Sequence, residues 1–234
     1  MSDPLPMVLI PGLRCSARLY TPQLTQLWQF GPVTVSNHTR ADTMPAIADD
    51  VLTSAPPRFA LIGLSMGGYI AFEILRRAPE RVVKLGLLDT SARADTPEQA
   101  RRRQQQIALT EAGRYDDTVS AQFAIMVHHS RRADVELWQT YRLMAQETGA
   151  EVFVRHQRAI GQRVDSRPDL ARIRVPTLVL VGDTDELTPP AHAEEMAAGI
   201  PGAQLTVVAD CGHLSTLERP EVVTAALIDF MAAK

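Results

Sequence analysis

Three residues have the types and the chain positions for a nucleophile, a base and an acid. Ser65 lies in Gly63-Leu64-Ser65-Met66-Gly67, a Gly-x-Ser-x-Gly pattern. A serine hydroxyl is a weak nucleophile at neutral pH and needs a base, usually a histidine whose tautomer a carboxylate fixes. His213 and Asp185 can fill those parts. The five-residue pattern alone fits a glycine-rich turn with a capping serine equally well. Its flanks favour the chemical reading: Phe59 to Ile62 is an apolar run of strand length, and Ile70, Phe72, Ile74 and Leu75 form a mostly buried helix that Ala78-Pro79 ends. A serine at the apex of so sharp a strand-to-helix turn holds a strained backbone, and glycine is favoured on both sides because there is no room for bulk. The Met66 N–H, at the start of the helix, then points to where a carbonyl oxygen would gain charge.

Alternating strands and helices must position these residues. Strands are expected at Met7 to Ile10, Val33 to Ser36, Phe59 to Ile62, Val82 to Leu88, Pro176 to Gly182 and Gln204 to Val208. Helices are expected from about Ala17 to Trp28, with Leu24, Leu27 and Trp28 inward, and over Met44 to Leu52, Pro190 to Ala198 and Pro220 to Met231. The alternation implies a parallel sheet with helices on both faces. Ser65, Asp185 and His213 each fall just past a strand end, where such a sheet gathers its loops. Asp183 and Asp89 compete with Asp185 for the acid on the same ground. His38, His128, His129, His156 and His192 are expected on the surface.

Between Ala92 and Asp169 the rhythm stops. Pro97 to Leu109, Asp116 to Met126, Asp134 to Gln146 and Glu151 to Ile160 read as helices, which makes 92–169 a helical insertion into a core of 1–91 and 170–234. Phe123, Met126, Tyr141 and Met144 are candidates to line a pocket, although a helix needs a buried stripe in any case. Between Thr90 and Val175 there are 14 arginines against 11 acidic residues. With Arg14 as a further pocket candidate, this allows a carboxylated substrate; solvated arginines explain it equally well.

Composition bounds the rest. The chain has 234 residues, 45% hydrophobic and 22% charged, with formal net charge −3, so nothing marks a nucleic-acid binder. Its lysines are only Lys84 and Lys234. No basic and apolar leader opens the sequence, and no apolar run approaches about 18 residues. The expectation is a cytoplasmic protein with a small-molecule substrate and no nucleic-acid or membrane partner, as a monomer or small homo-oligomer. Cys15 and Cys211 make neither a disulfide framework nor a zinc spacing, and both are expected to be reduced.

The sequence resembles the α/β-hydrolase superfamily, of the kind with a helical cap. Gly63 to Gly68 resembles its nucleophile elbow, and Gly182-Asp183-Thr184-Asp185 with Pro189 its acid loop. Gly212-His213 with Glu218 and Pro220 resembles its histidine loop, and Arg76 to Val82 the link out of the elbow helix. The resemblance covers all but the cap. It implies a mostly parallel sheet of about six strands, a cap inserted after the strand ending near Leu88, and a catalytic Ser65, Asp185 and His213. It also implies a second oxyanion N–H from Leu13, in a loop that reads Pro11-Gly12 where the family often has His-Gly. The implied activity is hydrolysis of a small ester, thioester or lactone with no metal and no cofactor. A small-ligand receptor of the same fold with slow or no turnover is the other reading.

Overall fold

The computed structural model describes residues 4–233. Residues 1–3 and 234, which include the very start of the N-terminal stretch and Lys234, lie outside the described residues.

Six strands form one parallel sheet: β1 Met7–Ile10, β2 Val33–Val35, β3 Phe59–Leu64, β4 Val82–Leu88, β5 Thr177–Gly182 and β6 Gln204–Val208. Their spatial order is β2-β1-β3-β4-β5-β6. The helices are α1 Thr21–Leu27, α2 Met44–Ser54, α3 Met66–Arg77, α4 Pro97–Glu111, α5 Tyr115–Met126, α6 Val135–Gly161, α7 Pro190–Gly199, α8 Ser215–Glu218 and α9 Pro220–Ala232. The alternating apolar runs therefore make the expected α/β sheet. Strand alternation divides the core between its faces: Met7, Leu9, Ala60, Ile62 and Leu64 join one cluster, and Val8, Ile10, Phe59 and Leu61 the other. Lys84, on β4, is buried and donates to the Phe230 carbonyl at 2.8 Å and the Met231 carbonyl at 3.2 Å, closing the end of α9.

Strand order reverses direction between β1 and β3, so the loops after these two strands flank a crevice at the sheet's C-terminal edge. Ser65 follows β3, and Gly12 and Leu13 follow β1. α4, α5 and α6 all lie between β4 and β5 in the chain, and residues of α4, α5 and α6 share a cleft with Ser65. α6 is interrupted at Gly149, where φ is 81° and ψ 168°, so two helices meet there across a kink, as the separate helices expected over Asp134 to Gln146 and Glu151 to Ile160 imply. Glycine is the residue that takes a positive φ at little steric cost.

Trp28 is not inward: it is 73% exposed, because the first helix ends at Leu27 and a tighter turn swings the indole out. Three histidines expected on the surface are buried, namely His38, His128 and His156. His38 and His156 stack with ring centroids 4.7 Å apart, and the His156 Nε2 lies 2.9 Å from the His38 carbonyl. This joins α6 to the loop after β2. Burial first, then the neighbouring imidazole, pushes His38 down to about 3, and burial pushes His156 down to about 4.

Both rings are thus neutral in the fold, whereas in the unfolded chain they titrate near pH 6.5. Above that pH they are neutral in both states and leave stability unchanged. As pH falls below it, only the unfolded chain takes up the protons, and each ring removes about 1.4 kcal/mol per pH unit. Urea unfolding at pH 7.5 and pH 5 should show this loss. His156→Gln keeps a donor for the His38 carbonyl and should make the loss shallower; an equal loss in that variant would mean that other groups drive acid unfolding.

Candidate active site

Ser65 has φ 56° and ψ −115°, a left-handed conformation that strains a non-glycine residue. Hydrogen bonds on both sides hold it there. Its N–H donates to the Leu88 carbonyl at 2.9 Å. Its carbonyl accepts from the Gly68 N–H at 2.9 Å and from Thr90 Oγ1 at 2.7 Å. The glycines are there for space. A Cβ on Gly63 would strike the Gly67 carbonyl, and one on Gly67 would strike the Ile10 carbonyl. Among the described residues, neither the Leu13 nor the Met66 N–H donates to a protein acceptor.

Asp185 and His213 meet. His213 Nδ1 lies 2.7 Å from Asp185 Oδ2, and both side chains are buried. The other oxygen, Oδ1, accepts the Leu187 N–H at 2.9 Å and the Thr188 N–H at 3.0 Å, while the Thr188 hydroxyl reaches Oδ2 at 2.8 Å. Burial alone would raise the Asp185 carboxyl; the charge and hydrogen bond of His213, with those of Thr188, outweigh it and hold the group below its usual range. Burial likewise opposes charge on His213, but the Asp185 carboxylate prevails and raises its pKa. With Nδ1–H committed to the carboxylate, Nε2 carries the free lone pair of the neutral ring.

The rival carboxylates have other partners. Asp183 accepts the Asp210 and Cys211 N–H groups, each at 3.0 Å, and so ties the acid loop to the histidine loop. Asp89 is buried, accepts the Gly182 N–H at 3.0 Å and the Ser215 hydroxyl, and has no hydrogen bond to the His213 ring among the described residues. Burial first, then the nearby Asp185 charge, raises its pKa well above the carboxylate range.

Ser65 and His213 line one cleft of about 240 Å³, along with Leu13, Cys15 and Met126. Of the proposed pocket residues only Met126 lines it. Phe123, Tyr141 and Met144 are buried in the core instead, where Phe123 and Tyr141 pack at 5.7 Å. Arg14 is also buried and away from the cleft lining. Its guanidinium lies over the Phe153 ring at 3.7 Å and donates to the Thr118 carbonyl and hydroxyl and to Gln122. Cys15 and Cys211 are free and buried, and burial pushes the Cys15 thiol up to about 12 and Cys211 up as well. No group of three or more His, Cys, Asp or Glu among the described residues is placed to hold a metal ion, and no helix among them is long and apolar enough to cross a membrane.

The sequence matches the alpha/beta hydrolase family over residues 7–226. The chain belongs to that family. It is 30% identical to BpoC of Mycobacterium tuberculosis, a protein named for non-heme bromoperoxidase activity, over 82% of this chain and 74% of that one. It is 29% identical to a pimeloyl-[acyl-carrier protein] methyl ester esterase of Aromatoleum aromaticum, over 91% of this chain and 87% of that one. A thermophilic esterase from Thermogutta terrifontis superposes with TM-score 0.88 at 30% identity, covering 97% of this chain and 89% of that one.

Glu218 is a hydrolase-fold residue whose task only the structure reveals. Its buried carboxylate accepts the N–H groups of His128 at 2.7 Å, Gly212 at 3.1 Å and Leu214 at 3.2 Å. It thereby clamps the loop on either side of His213 to the segment after α5. In the sequence only its spacing from His213 marked it. Glu218→Gln would turn an amide NH₂ toward backbone donors, so a loss of about 2 kcal/mol is expected by urea unfolding. A wild-type midpoint would show that the clamp contributes nothing.

Proposed function

We propose that this protein is a serine hydrolase that cleaves a small ester-type substrate, an ester, thioester or lactone, through Ser65, His213 and Asp185. The observation that carries this reading is the buried Asp185–His213 pair opening into the same cleft as a backbone-strained Ser65. Ser65 Oγ attacks the substrate carbonyl while His213 Nε2 takes its proton. The Leu13 and Met66 N–H groups receive the oxyanion, the second aided by the N-terminal end of α3. Collapse expels the alcohol or thiol, which takes the proton back from His213, and a water activated by the same nitrogen then releases the acid from the acyl-serine. The helices of 92–169 act as a cap over the cleft. Relatives and neighbours named as esterases support ester-type bonds as the target.

A serine-directed phosphonate should label Ser65 and leave Ser36, Ser91 and Ser215 free, as read by peptide mass mapping. Label on another serine, or none on folded protein, would end the assignment. Retained turnover with loss of labelling in Ser65→Ala would point to the receptor-like reading's opposite, a different nucleophile; ligand capture without any turnover by wild type would favour the receptor.

The carboxylates separate by substitution. Asp185→Asn should lower turnover on the order of 10³–10⁴, as in other triads, and Asp183→Asn far less. Because Asp185 raises the His213 pKa, kcat/KM should rise with pH through a midpoint above 6.5. Residual activity of Asp185→Asn should have a lower midpoint, since the charge that raised it is gone. An unmoved midpoint would mean that the acid limb reports another group.

A further inference from the structure

α4 turns Gln99, Arg102, Arg103 and Gln106 toward the cleft. The spacing i, i+3, i+4, i+7 is the stripe a packed helix ordinarily fills with apolar side chains. Here it is polar throughout, although Ile107 on the same helix is buried. Arg93 and Arg163 add two more guanidiniums to the lining. Guanidinium stays charged under all ordinary conditions.

The nearby carboxylates are too few to balance them. Asp95, with a side chain only 4% exposed, serves two arginines at once: Arg103 at 2.5 Å and Arg163 at 2.7 Å. Arg93 is paired with Glu195 at 2.8 Å. Glu186, the acidic residue of the lining, is taken by Arg132 at 2.9 Å. Arg102 has no ion pair and no hydrogen bond among the described residues; it is exposed and borders both the cleft and the shallow groove between α4 and α5. The lining also includes Leu13, Ile125, Met126 and Leu187, so the cleft offers apolar surface as well as this cationic stripe. A neutral acyl chain gives no use to such a charge, and a cleft walled by low-dielectric protein focuses the field of an unbalanced one.

We infer that the ester this site hydrolyses carries a second, ionised group, a carboxylate or a phosphate, which Arg102 binds at the cleft with the Arg103–Asp95–Arg163 cluster beside it. This rests on the hydrolase reading above. Arg14, the arginine singled out by its place in the sequence, is buried away from the lining and takes no part.

The test uses size-matched esters that are uncharged, carboxylate-ended or phosphate-ended, with the charge on the acyl part in one set and on the alcohol part in another. Wild type should prefer one charged set over the neutral esters by roughly three- to tenfold in kcat/KM, the size of a partly solvated charge pair. The preference should lie in KM and shrink in about 0.5 M NaCl. Arg102→Gln should bring the ratio toward one, while Arg101→Gln, an exposed neighbour outside the lining, should keep it. The carboxylate and phosphate arms tell the two sources apart. Equal or better use of neutral esters by wild type, or an unchanged ratio in Arg102→Gln, overturns the inference while the hydrolase stands. No ester turnover together with no phosphonate label on Ser65 overturns both.

Discussion

The site depends on the backbone of Ser65 being held where a serine does not rest by itself. A left-handed φ at a non-glycine residue costs on the order of 1–3 kcal/mol and persists only if the surroundings over-determine it. Here β4 takes the N–H through Leu88, and the Thr90 hydroxyl and the first turn of α3 take the carbonyl. The turn is tight enough that α3 passes against the Ile10 carbonyl at the end of β1, where Gly67 has no side chain to obstruct it. That same closeness brings the Gly12–Leu13 loop beside Ser65. The central strands, the elbow and one wall of the cleft are therefore one steric arrangement, not three features that happen to coincide.

Around that arrangement, carboxylates do what the strand ladder cannot do past its end. Buried Asp89, Asp185 and Glu218 and the exposed Asp183 lie along one edge of the sheet; Asp89 accepts the N–H of Gly182 at the end of β5, and the other three accept backbone N–H groups from the loops beyond the strands. Their charge states differ because their partners do. Asp185 is hydrogen-bonded to an imidazole and is held ionised; Asp89, near it but bonded to the Gly182 N–H and the Ser215 hydroxyl instead, is driven upward by burial and by the Asp185 charge. Two carboxyls near one histidine are thus pushed apart, which is the condition under which one of them can serve as the ionised partner. Contact geometry, more than chain position, separates Asp185 from a rival that sits equally well past a strand end.

How far the sequence reveals all this follows from the range of the interactions. Strand runs such as Phe59 to Leu64 are local, so the six-stranded sheet and its order of elements were legible, as were the three loops bearing Ser65, Asp185 and His213. What is not legible there is set by long-range packing. His156 is buried because it stacks on His38, 118 residues away. Arg14 is buried because Phe153 and Thr118 receive it, although its neighbours in the chain border the cleft. Phe123, Tyr141 and Met144 obey the helical stripe but face the core, a choice that periodicity cannot make. Trp28 lies outward because its helix stops one residue sooner than the apolar pattern suggests.

The histidine loop also shows why the helices between β4 and β5 are not an independent lid. The His213 N–H donates to the Met126 carbonyl at 2.9 Å, and the Leu214 N–H to the same oxygen at 3.2 Å. Glu218 holds His128 from the other side, and its own carbonyl accepts from Arg131 at 2.7 Å. The end of α5 is therefore bonded to the backbone of the residue whose ring pairs with Asp185. Met126 contributes its side chain to the cleft and its carbonyl to that loop, so a displacement of α5 would move the lining and His213 together. An opening of the cleft that preserves the Asp185–His213 pair must hinge elsewhere; Gly113, between α4 and α5, and Gly149, where α6 leaves helical geometry, both have positive φ and no neighbour within 4 Å of where a side chain would sit, so packing constrains neither point.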